Sequence, residues 1–277
     1  MYGVVTRNED EVTWDDFDLA FYEVKDVTGR SADPHPEAVN MVSCFGDNAA
    51  ADAEPSLVPI DQEGRPATRE RKYFDWAYIC PSRQEYRDGL LEIIDDCAAV
   101  NGDVRLDDVG FPRPEYCRCD VCERSFEASD FDDRFDWRAN VITEFVAEAV
   151  ERIPGRVYLT LYPDPYPGHL YERAGLDLEA LEPLVDEFVV PLYDMGYTTT
   201  YWLEVIASGF ESALETPFSI ELYAVNVDIE NLSKATEVAD HYGTDVFFGY
   251  EASNARAMLR RQRADERDGV THGDPSS

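Results

Sequence analysis

The sequence contains few basic residues and almost no lysine, which occurs only as Lys25, Lys72 and Lys234. Its 24 basic residues stand against 58 acidic ones, giving a formal net charge of −34 over 277 residues. A surface this acidic repels phosphate groups, so we do not expect nucleic acids or anionic membranes as partners. The acidic residues are spread along the chain, which is typical of proteins from the cytoplasm of halophiles, where salt screens their mutual repulsion.

Several features of other protein classes are also absent. No apolar run reaches the roughly 18 residues of a membrane-spanning helix, and the N-terminal segment MYGVVTRNED lacks the basic and apolar regions of a signal peptide. We therefore expect a cytoplasmic protein. There is no G-x-G-x-x-G motif after a strand, no Walker lysine motif and no G-x-S-x-G, which argues against a nucleotide site and a hydrolase nucleophile elbow.

Eight apolar or aromatic segments have the length of β-strands. Their nearly continuous apolar character suits strands that are covered on both faces. They are Tyr2–Thr6, Leu19–Val24, Val39–Phe45, Val104–Val109, Val157–Tyr162, Glu187–Tyr193, Phe218–Ala224 and Asp245–Tyr250.

Segments with helical periodicity lie between the later strands, at 83–100, 135–153, 177–185, 199–214, 229–242 and 253–267. Strands that alternate with helices predict a parallel sheet, and eight of them predict a single-domain α/β fold, the (β/α)8 TIM barrel, over residues 1–267. The first third is less regular, because it has little room for helices and 46–72 reads as a long loop. In a barrel this loop would cover the C-terminal face, where active sites lie. Residues 268–277 read as a disordered tail.

The six cysteines point to a metal site, because disulfides are rare in a reducing cytoplasm. Cys117, Cys119 and Cys122 form a C-x-C-x2-C run directly after the fourth predicted strand, and Cys80 is the best candidate for a fourth ligand. Four thiolates predict a structural zinc that braces this loop. An iron–sulfur cluster and free thiols are the alternatives.

Three segments that surround these cysteines resemble a known group of enzymes. YICPSRQEYRDGLLEIIDD, VRLDDVGFPRP and YCRCDVCERSF resemble the barrel glycoside hydrolases of clan A and their uncharacterised putative glycosidase relatives. The nearest motif match is to the bacterial beta-galactosidases with one cysteine upstream of a C-x-C-x2-C run. The resemblance covers residues 78–126 and implies a structural zinc bound by Cys80, Cys117, Cys119 and Cys122.

The same resemblance implies two catalytic carboxyl groups. It matches Asp108 to the family's acid/base at the end of the fourth strand, and it matches Glu221, in FSIELYA, to the nucleophile at the end of the seventh. The sequence has Asp107-Asp108 where the family has Asn-Glu, so the acid/base side chain is one methylene shorter. The alternation of side chains along a strand predicts that only one of these two Asp residues faces the cavity.

Aromatic and acidic residues recur at the predicted strand ends and suit a carbohydrate site, since flat rings pack against sugar C–H faces and carboxylates bind hydroxyls. Alternatively, the tyrosines fill the core and the acids cap turns or pair with arginines. The candidates for substrate binding are Asp107, Tyr162, Asp164, Tyr193, Asp194, Tyr197 and Glu251.

Three functions remain open at this point. The first is a glycosidase with Asp108 as acid/base and Glu221 as nucleophile or electrostatic partner. The second is a barrel that binds a carbohydrate without cleaving it. The third makes the metal catalytic, with three thiolates and an open position for water. Relatives in the resembling group often associate, so a homo-oligomer is a further expectation.

Overall fold

The computed structural model describes residues 1–267 and contains a closed barrel of eight parallel strands. Each strand pairs with its neighbours in chain order, and the first strand, Tyr2–Thr6, pairs with both the second and the last, which closes the sheet. The predicted TIM barrel is therefore confirmed. The predicted tail at 268–277 lies outside the described residues. The strands are β1 (Tyr2–Thr6), β2 (Leu19–Asp26), β3 (Val39–Ser43), β4 (Val104–Asp107), β5 (Val157–Thr160), β6 (Glu187–Pro191), β7 (Phe218–Tyr223) and β8 (Val246–Gly249).

Helices cover the outer face of the barrel. The five helices of 13 or more residues match predicted periodic segments to within a few residues. The full set is α1 (Glu9–Val12), α2 (Asn48–Ala53), α3 (Gln84–Val100), α4 (Asp120–Glu127), α5 (Arg134–Val150), α6 (His169–Ala174), α7 (Leu178–Leu181), α8 (Tyr201–Ala213), α9 (Ile229–Tyr242) and α10 (Ala252–Arg267), with 3₁₀ turns at Pro55–Leu57 and Glu182–Leu184. None of the helices within residues 1–267 is both long and apolar enough to cross a membrane.

The irregular first third has a simple structural basis. Only the four-residue α1 connects β1 to β2, and β2 turns directly into a two-residue antiparallel strand, Gly29–Arg30, before β3. The predicted loop at 46–72 contains α2 and a 3₁₀ turn. Sequence reasoning also missed α4 and α6, which are too short to show a clear helical period.

Inside the barrel, apolar side chains fill the half away from the C-terminal end. Phe21 packs edge-on against Tyr158 and Phe247, with ring centroids 5.1 and 4.7 Å apart. These side chains are essentially inaccessible to solvent. Nearer their C-terminal ends, the same strands carry polar or charged residues. The barrel interior is therefore aromatic in its lower half and polar at the C-terminal end, here called the mouth.

A buried arginine fixes the chain that follows β4. Arg138, on α5, has no exposed surface and donates hydrogen bonds to the backbone oxygens of Arg113, Glu172 and Arg173 at 3.0, 2.6 and 2.7 Å. Because buried carbonyl groups need donors, these bonds tie the β4–α4 loop and α6 to one helix.

Candidate active site

A cavity of about 490 Å³ opens at the C-terminal end of the barrel. Each of the eight strands contributes a lining residue, which lies on the strand itself or within two residues after it. The lining includes Arg7 after β1, Glu23 on β2, Ser43 on β3, Arg105, Asp107 and Asp108 on or after β4, Thr160 and Tyr162 on or after β5, Pro191 and Tyr193 on or after β6, Tyr223 on β7 and Tyr250 after β8.

Both Asp107 and Asp108 line this cavity, so the prediction that only one would face it is wrong. Strand β4 ends at Asp107, and Asp108 has a left-handed backbone with φ of 49°, which breaks the alternation of side chains. Asp tolerates this conformation better than most residues. Asp108, Tyr197, Asn226 and Tyr250 are the non-glycine residues with positive φ in the described chain, and all follow barrel strands at the mouth.

Asp108 sits in a pocket that favours its protonated form. Its Oδ2 lies 2.5 Å from the Ser43 hydroxyl, which also lies 3.0 Å from the carbonyl oxygen of Gly46. One hydroxyl hydrogen cannot serve both oxygens. When Asp108 is protonated, it donates to Ser43 and Ser43 donates to Gly46, so both contacts are satisfied.

Burial and charge act in the same direction on this carboxyl group. Desolvation and the neighbouring charge of Asp107 raise the pKa of Asp108 from 3.8 to about 8, against the opposing influence of Ser43 and Lys25. Gly46 is necessary for this arrangement, because a Cβ there would lie 2.9 Å from Asp108 Oδ2 and 2.9 Å from Trp76 Nε1. Asp108 is therefore a neutral acid at neutral pH.

Glu221 lies directly below the cavity and is fully buried. Arg105 Nη2 forms an ion pair with its Oε2 at 2.6 Å, and the hydroxyl of Tyr193 donates a short hydrogen bond to its Oε1. This is the buried partner that a carboxylate inside an apolar strand requires. Its neighbour Gly249 leaves room for the carboxylate, since a Cβ there would lie 2.9 Å from Oε1.

Arg105 connects Glu221 to the rest of the mouth. Its Nε donates to Thr160 Oγ1 at 2.9 Å, and its guanidinium lies over the ring of Phe21, 5.1 Å from the centroid. Within the described chain, Nη1 has no hydrogen-bond partner although the side chain is 1% exposed. The two N–H groups of Nη1 are thus left without a partner in the described chain.

Glu23 is a further carboxyl in the cavity that our sequence reasoning missed. It is 4% exposed, its Oε2 accepts a short hydrogen bond from Arg7 Nε, and its Oε1 accepts one from the Tyr250 hydroxyl at 3.2 Å. Burial raises its pKa to about 7, although Arg7 opposes the shift. The signal was present in the sequence, because Glu23 interrupts the apolar strand LAFYEVKD as Glu221 interrupts FSIELY.

Three tyrosines form one wall of the cavity. Tyr193 and Tyr223 have ring centroids 5.3 Å apart, and Tyr223 and Tyr250 6.5 Å apart. Tyr193 is 43% exposed. Tyr162 and Trp76 line other parts of the cavity. Continuous aromatic surface beside several carboxyl groups is suited to a polyhydroxylated ligand.

Four other residues predicted to bind substrate do not line this cavity. Asp164 lies in a neighbouring surface hollow and contacts His169 Nδ1 at 3.0 Å. Asp194 accepts hydrogen bonds from the backbone of a turn, and Glu251 accepts one from Ser253 at the start of α10. Tyr197 is buried and donates to the carbonyl of Leu192 at 2.9 Å. Local hydrogen bonds therefore occupy these side chains.

The predicted cysteine cluster forms in the loop beyond β4. Cys80, Cys117, Cys119 and Cys122 are buried, and their sulfur atoms all lie within 4.8 Å of one another. The Sγ atom of Cys80 lies 3.9 Å from that of Cys119 and 3.3 Å from that of Cys122. Tetrahedral zinc with bonds of about 2.3 Å requires sulfur separations of about 3.8 Å, so these residues fit a closed four-sulfur metal site.

Comparisons with known proteins support the fold. No protein-family model and no curated protein sequence matches the chain. Among solved structures, alpha-L-fucosidase isoenzyme 2 from Paenibacillus thiaminolyticus has a TM-score of 0.63 at 14% identity, covering 98% of this chain and 50% of that one. This chain thus spans about half the length of that enzyme. An alpha-amylase from Lactobacillus plantarum follows, with a TM-score of 0.47 at 11% identity, covering 90% of this chain and 70% of that one. At a TM-score of 0.63 and 14% identity, the likeness to the fucosidase shows a shared fold and no more.

The shifted pKa of Asp108 predicts a pH-dependent effect of the Asp108→Asn substitution on stability. Between its ordinary pKa of 3.8 and about 8, the folded protein retains a proton that the unfolded chain has lost, so the free energy of unfolding falls as pH rises. An Asn side chain at this position does not titrate, so it does not lower the free energy of unfolding as pH rises. We expect the Tm of Asp108→Asn, relative to wild type, to rise between about pH 5 and pH 9 in thermal unfolding followed by circular dichroism. The control is Asp33→Asn at an exposed site, whose Tm relative to wild type should not rise in this way. If the Tm difference between Asp108→Asn and wild type is also independent of pH, the prediction is wrong.

The cysteine cluster predicts that a tightly bound metal stabilises the fold. We expect about one metal ion per chain by elemental mass spectrometry, and Cys80→Ala should lose it and unfold at least about 10 °C lower, since loss of a metal site costs several kcal/mol. Cys97→Ala, which removes a buried thiol outside the cluster, should keep the metal. Equal metal content in the two variants would refute a site at these four cysteines.

Proposed function

We propose that this chain is a glycoside-hydrolase-like enzyme that cleaves a glycosidic bond in the mouth cavity. The observation that supports this most directly is the pairing of a protonated Asp108 with an arginine-bound Glu221 beside an aromatic wall. Glycoside hydrolysis requires two carboxyl groups in opposite protonation states. The likeness to the fucosidase barrel is compatible with such chemistry, although a shared fold does not determine function.

In this proposal Asp108 is the general acid. It lines the cavity and is neutral at neutral pH, so it can donate a proton to the glycosidic oxygen as the bond to the anomeric carbon breaks. Proton donation of this kind accelerates reactions by about 10²- to 10⁴-fold. The aglycone then leaves as an alcohol rather than as an unstable alkoxide.

Glu221 would stabilise the positive charge that develops on the sugar. The ion pair with Arg105 and the hydrogen bond from Tyr193 hold the two carboxylate oxygens in place. A negative charge held in a buried, low-dielectric position acts strongly on a nearby cation. Full burial below Tyr193 favours this electrostatic role over direct attack on the anomeric carbon.

The sugar itself would bind to the remaining lining. The rings of Tyr193, Tyr223 and Tyr250 offer apolar faces, while Asp107 and the free Nη1 of Arg105 offer an acceptor and a donor for hydroxyl groups. The volume of the cavity falls within the usual range of small-ligand sites.

The metal of the cysteine cluster is, in this proposal, zinc in a structural role. Four sulfur ligands leave no open position for water, as in closed structural zinc sites. This favours a structural metal that stabilises the loop after β4 over a catalytic metal.

A second candidate function is carbohydrate binding without cleavage. It is favoured by the complete burial of Glu221 and by the Tyr193 hydroxyl bonded to it, which together separate this carboxylate from the cavity. In that case the residues that line the cavity would bind a sugar without cleaving its glycosidic bond.

Activity measurements on two variants test the enzymatic proposal. We expect Asp108→Asn to lower kcat about 10²- to 10⁴-fold on methyl glycosides and less on 4-nitrophenyl glycosides, because nitrophenolate leaves without protonation. Glu221→Gln should lower kcat on both, because it removes the stabilising charge. Asp33→Asn is a control at an exposed site.

The outcomes separate the two functions. Glycosidase activity that is unchanged in both folded variants would exclude this pair as the catalytic groups. Calorimetric binding of a sugar to the wild-type protein, with no release of product from its glycosides, would favour the binding function.

A further inference from the structure

We infer that Glu23 is the general base that activates the attacking water, so that hydrolysis inverts the configuration of the anomeric carbon. This inference depends on the proposed glycosidase function and assigns the one role which that proposal leaves open. If Glu221 does not attack the sugar, water must attack it, and a carboxylate in the cavity must accept the proton of that water.

Glu23 is positioned for this role by the barrel. It lines the cavity on β2, whereas Asp108 follows β4, and β3 lies between these two strands. Strands two apart in a sheet are separated by about 9 to 10 Å. Inverting glycosidases place their two carboxyl groups roughly 6.5–9.5 Å apart, which leaves room for the sugar and a water molecule.

The other carboxyl groups are less suitable. Asp107 is adjacent to Asp108 on the same strand end and cannot act from the opposite side of the bond. Glu221 is fully buried and is not among the residues that line the cavity, whereas Glu23 is. Glu23 therefore remains as the cavity carboxyl on a different strand from the acid.

Two neighbours hold the Glu23 carboxyl in one orientation. Arg7 Nε bonds one oxygen and the Tyr250 hydroxyl bonds the other. The guanidinium of Arg7 also lies over the Tyr250 ring, 5.1 Å from its centroid. Each carboxylate oxygen keeps a second lone pair for a proton of water. A β-bulge in β2 between Glu23 and Lys25 is of the kind that re-aims side chains beside active sites.

The charge environment suits a base near neutral pH. The charged or titratable groups near Glu23 include Arg7, Asp26, Asp107, Asp108 and Tyr250. Burial, Asp107 and Asp26 raise the pKa of Glu23 to about 7 while Arg7 lowers it. The Arg7 guanidinium bonded to Glu23 favours the ionised form of Glu23, whereas burial beside Asp107 favours the protonated form of Asp108, which is the pairing that the reaction requires.

The step balances without any further reactant. The oxygen of water forms a bond to the anomeric carbon as its proton passes to Glu23, and the bond to the glycosidic oxygen breaks as that oxygen takes the proton of Asp108. The products are the free sugar and an alcohol. Glu23 then loses its proton to solvent and Asp108 regains one, so no electrons leave or enter the system.

The decisive experiment is proton NMR of the anomeric signal during hydrolysis by the wild-type protein. The probes are 4-nitrophenyl glycosides of common hexoses, pentoses and 6-deoxyhexoses in both anomeric forms. We expect the first product to have inverted configuration. Retention would overturn the role of Glu23 and leave the proposed glycosidase intact, whereas no turnover of any probe would overturn the glycosidase and this inference together.

Variants provide an independent readout. Glu23→Gln should lower kcat about 10²- to 10⁴-fold and abolish the acidic limb of the kcat–pH profile near pH 7. Asp33→Asn is the control, because Asp33 is exposed and does not line the cavity; it should stay within a few-fold of wild type and keep the acidic limb. A Glu23→Gln variant with wild-type kcat, or with an unchanged acidic limb, would refute the proposal.

Discussion

The ion pair between Arg105 and Glu221 is the interaction on which the mouth of the barrel depends. Both side chains are essentially inaccessible to solvent, and an isolated charge at such a depth would be very costly. Each charge therefore requires the other, which fixes β4 relative to β7 on the far side of the barrel. Thr160, Tyr193 and Phe21 contact the same two side chains, so one buried pair orients residues from five strands.

Different environments give the carboxyl groups of the mouth different properties. Glu221 has a cation beside it, whereas Asp108 has a hydroxyl and a second carboxylate as close neighbours. Burial next to a like charge raises the pKa of Asp108 and favours its protonated form. Glu221 is instead held by an arginine and a tyrosine hydroxyl. The closed lattice of backbone hydrogen bonds in the barrel keeps these surroundings rigid.

Much of the fold, but less of the site, could be predicted from the sequence. Apolar runs such as FSIELY identified the barrel strands, and the short C-x-C-x2-C spacing identified a cluster that Cys80 completes from 37 residues upstream. Whether Glu221 would pair with Arg105, and whether Tyr197 would face the cavity or the core, depends on barrel stagger and loop conformation, which periodicity does not encode. Glu23 was missed for a different reason. Like Glu221, it is a charged residue inside an apolar strand, and this indication of a functional residue was overlooked.

The cysteine cluster lies in the segment of chain that follows Asp108. Asp108 ends β4 in a left-handed conformation that ordinary residues avoid, and such strain persists only where the surrounding chain is held firmly. The loop that follows is attached to Cys80 by the cluster and to α5 by Arg138. Arg113 and Cys117 follow Asp108 by five and nine residues, so these attachments limit how far Asp108 can relax. The fixed path of the loop and the raised pKa of Asp108 therefore both arise from the local structure after β4.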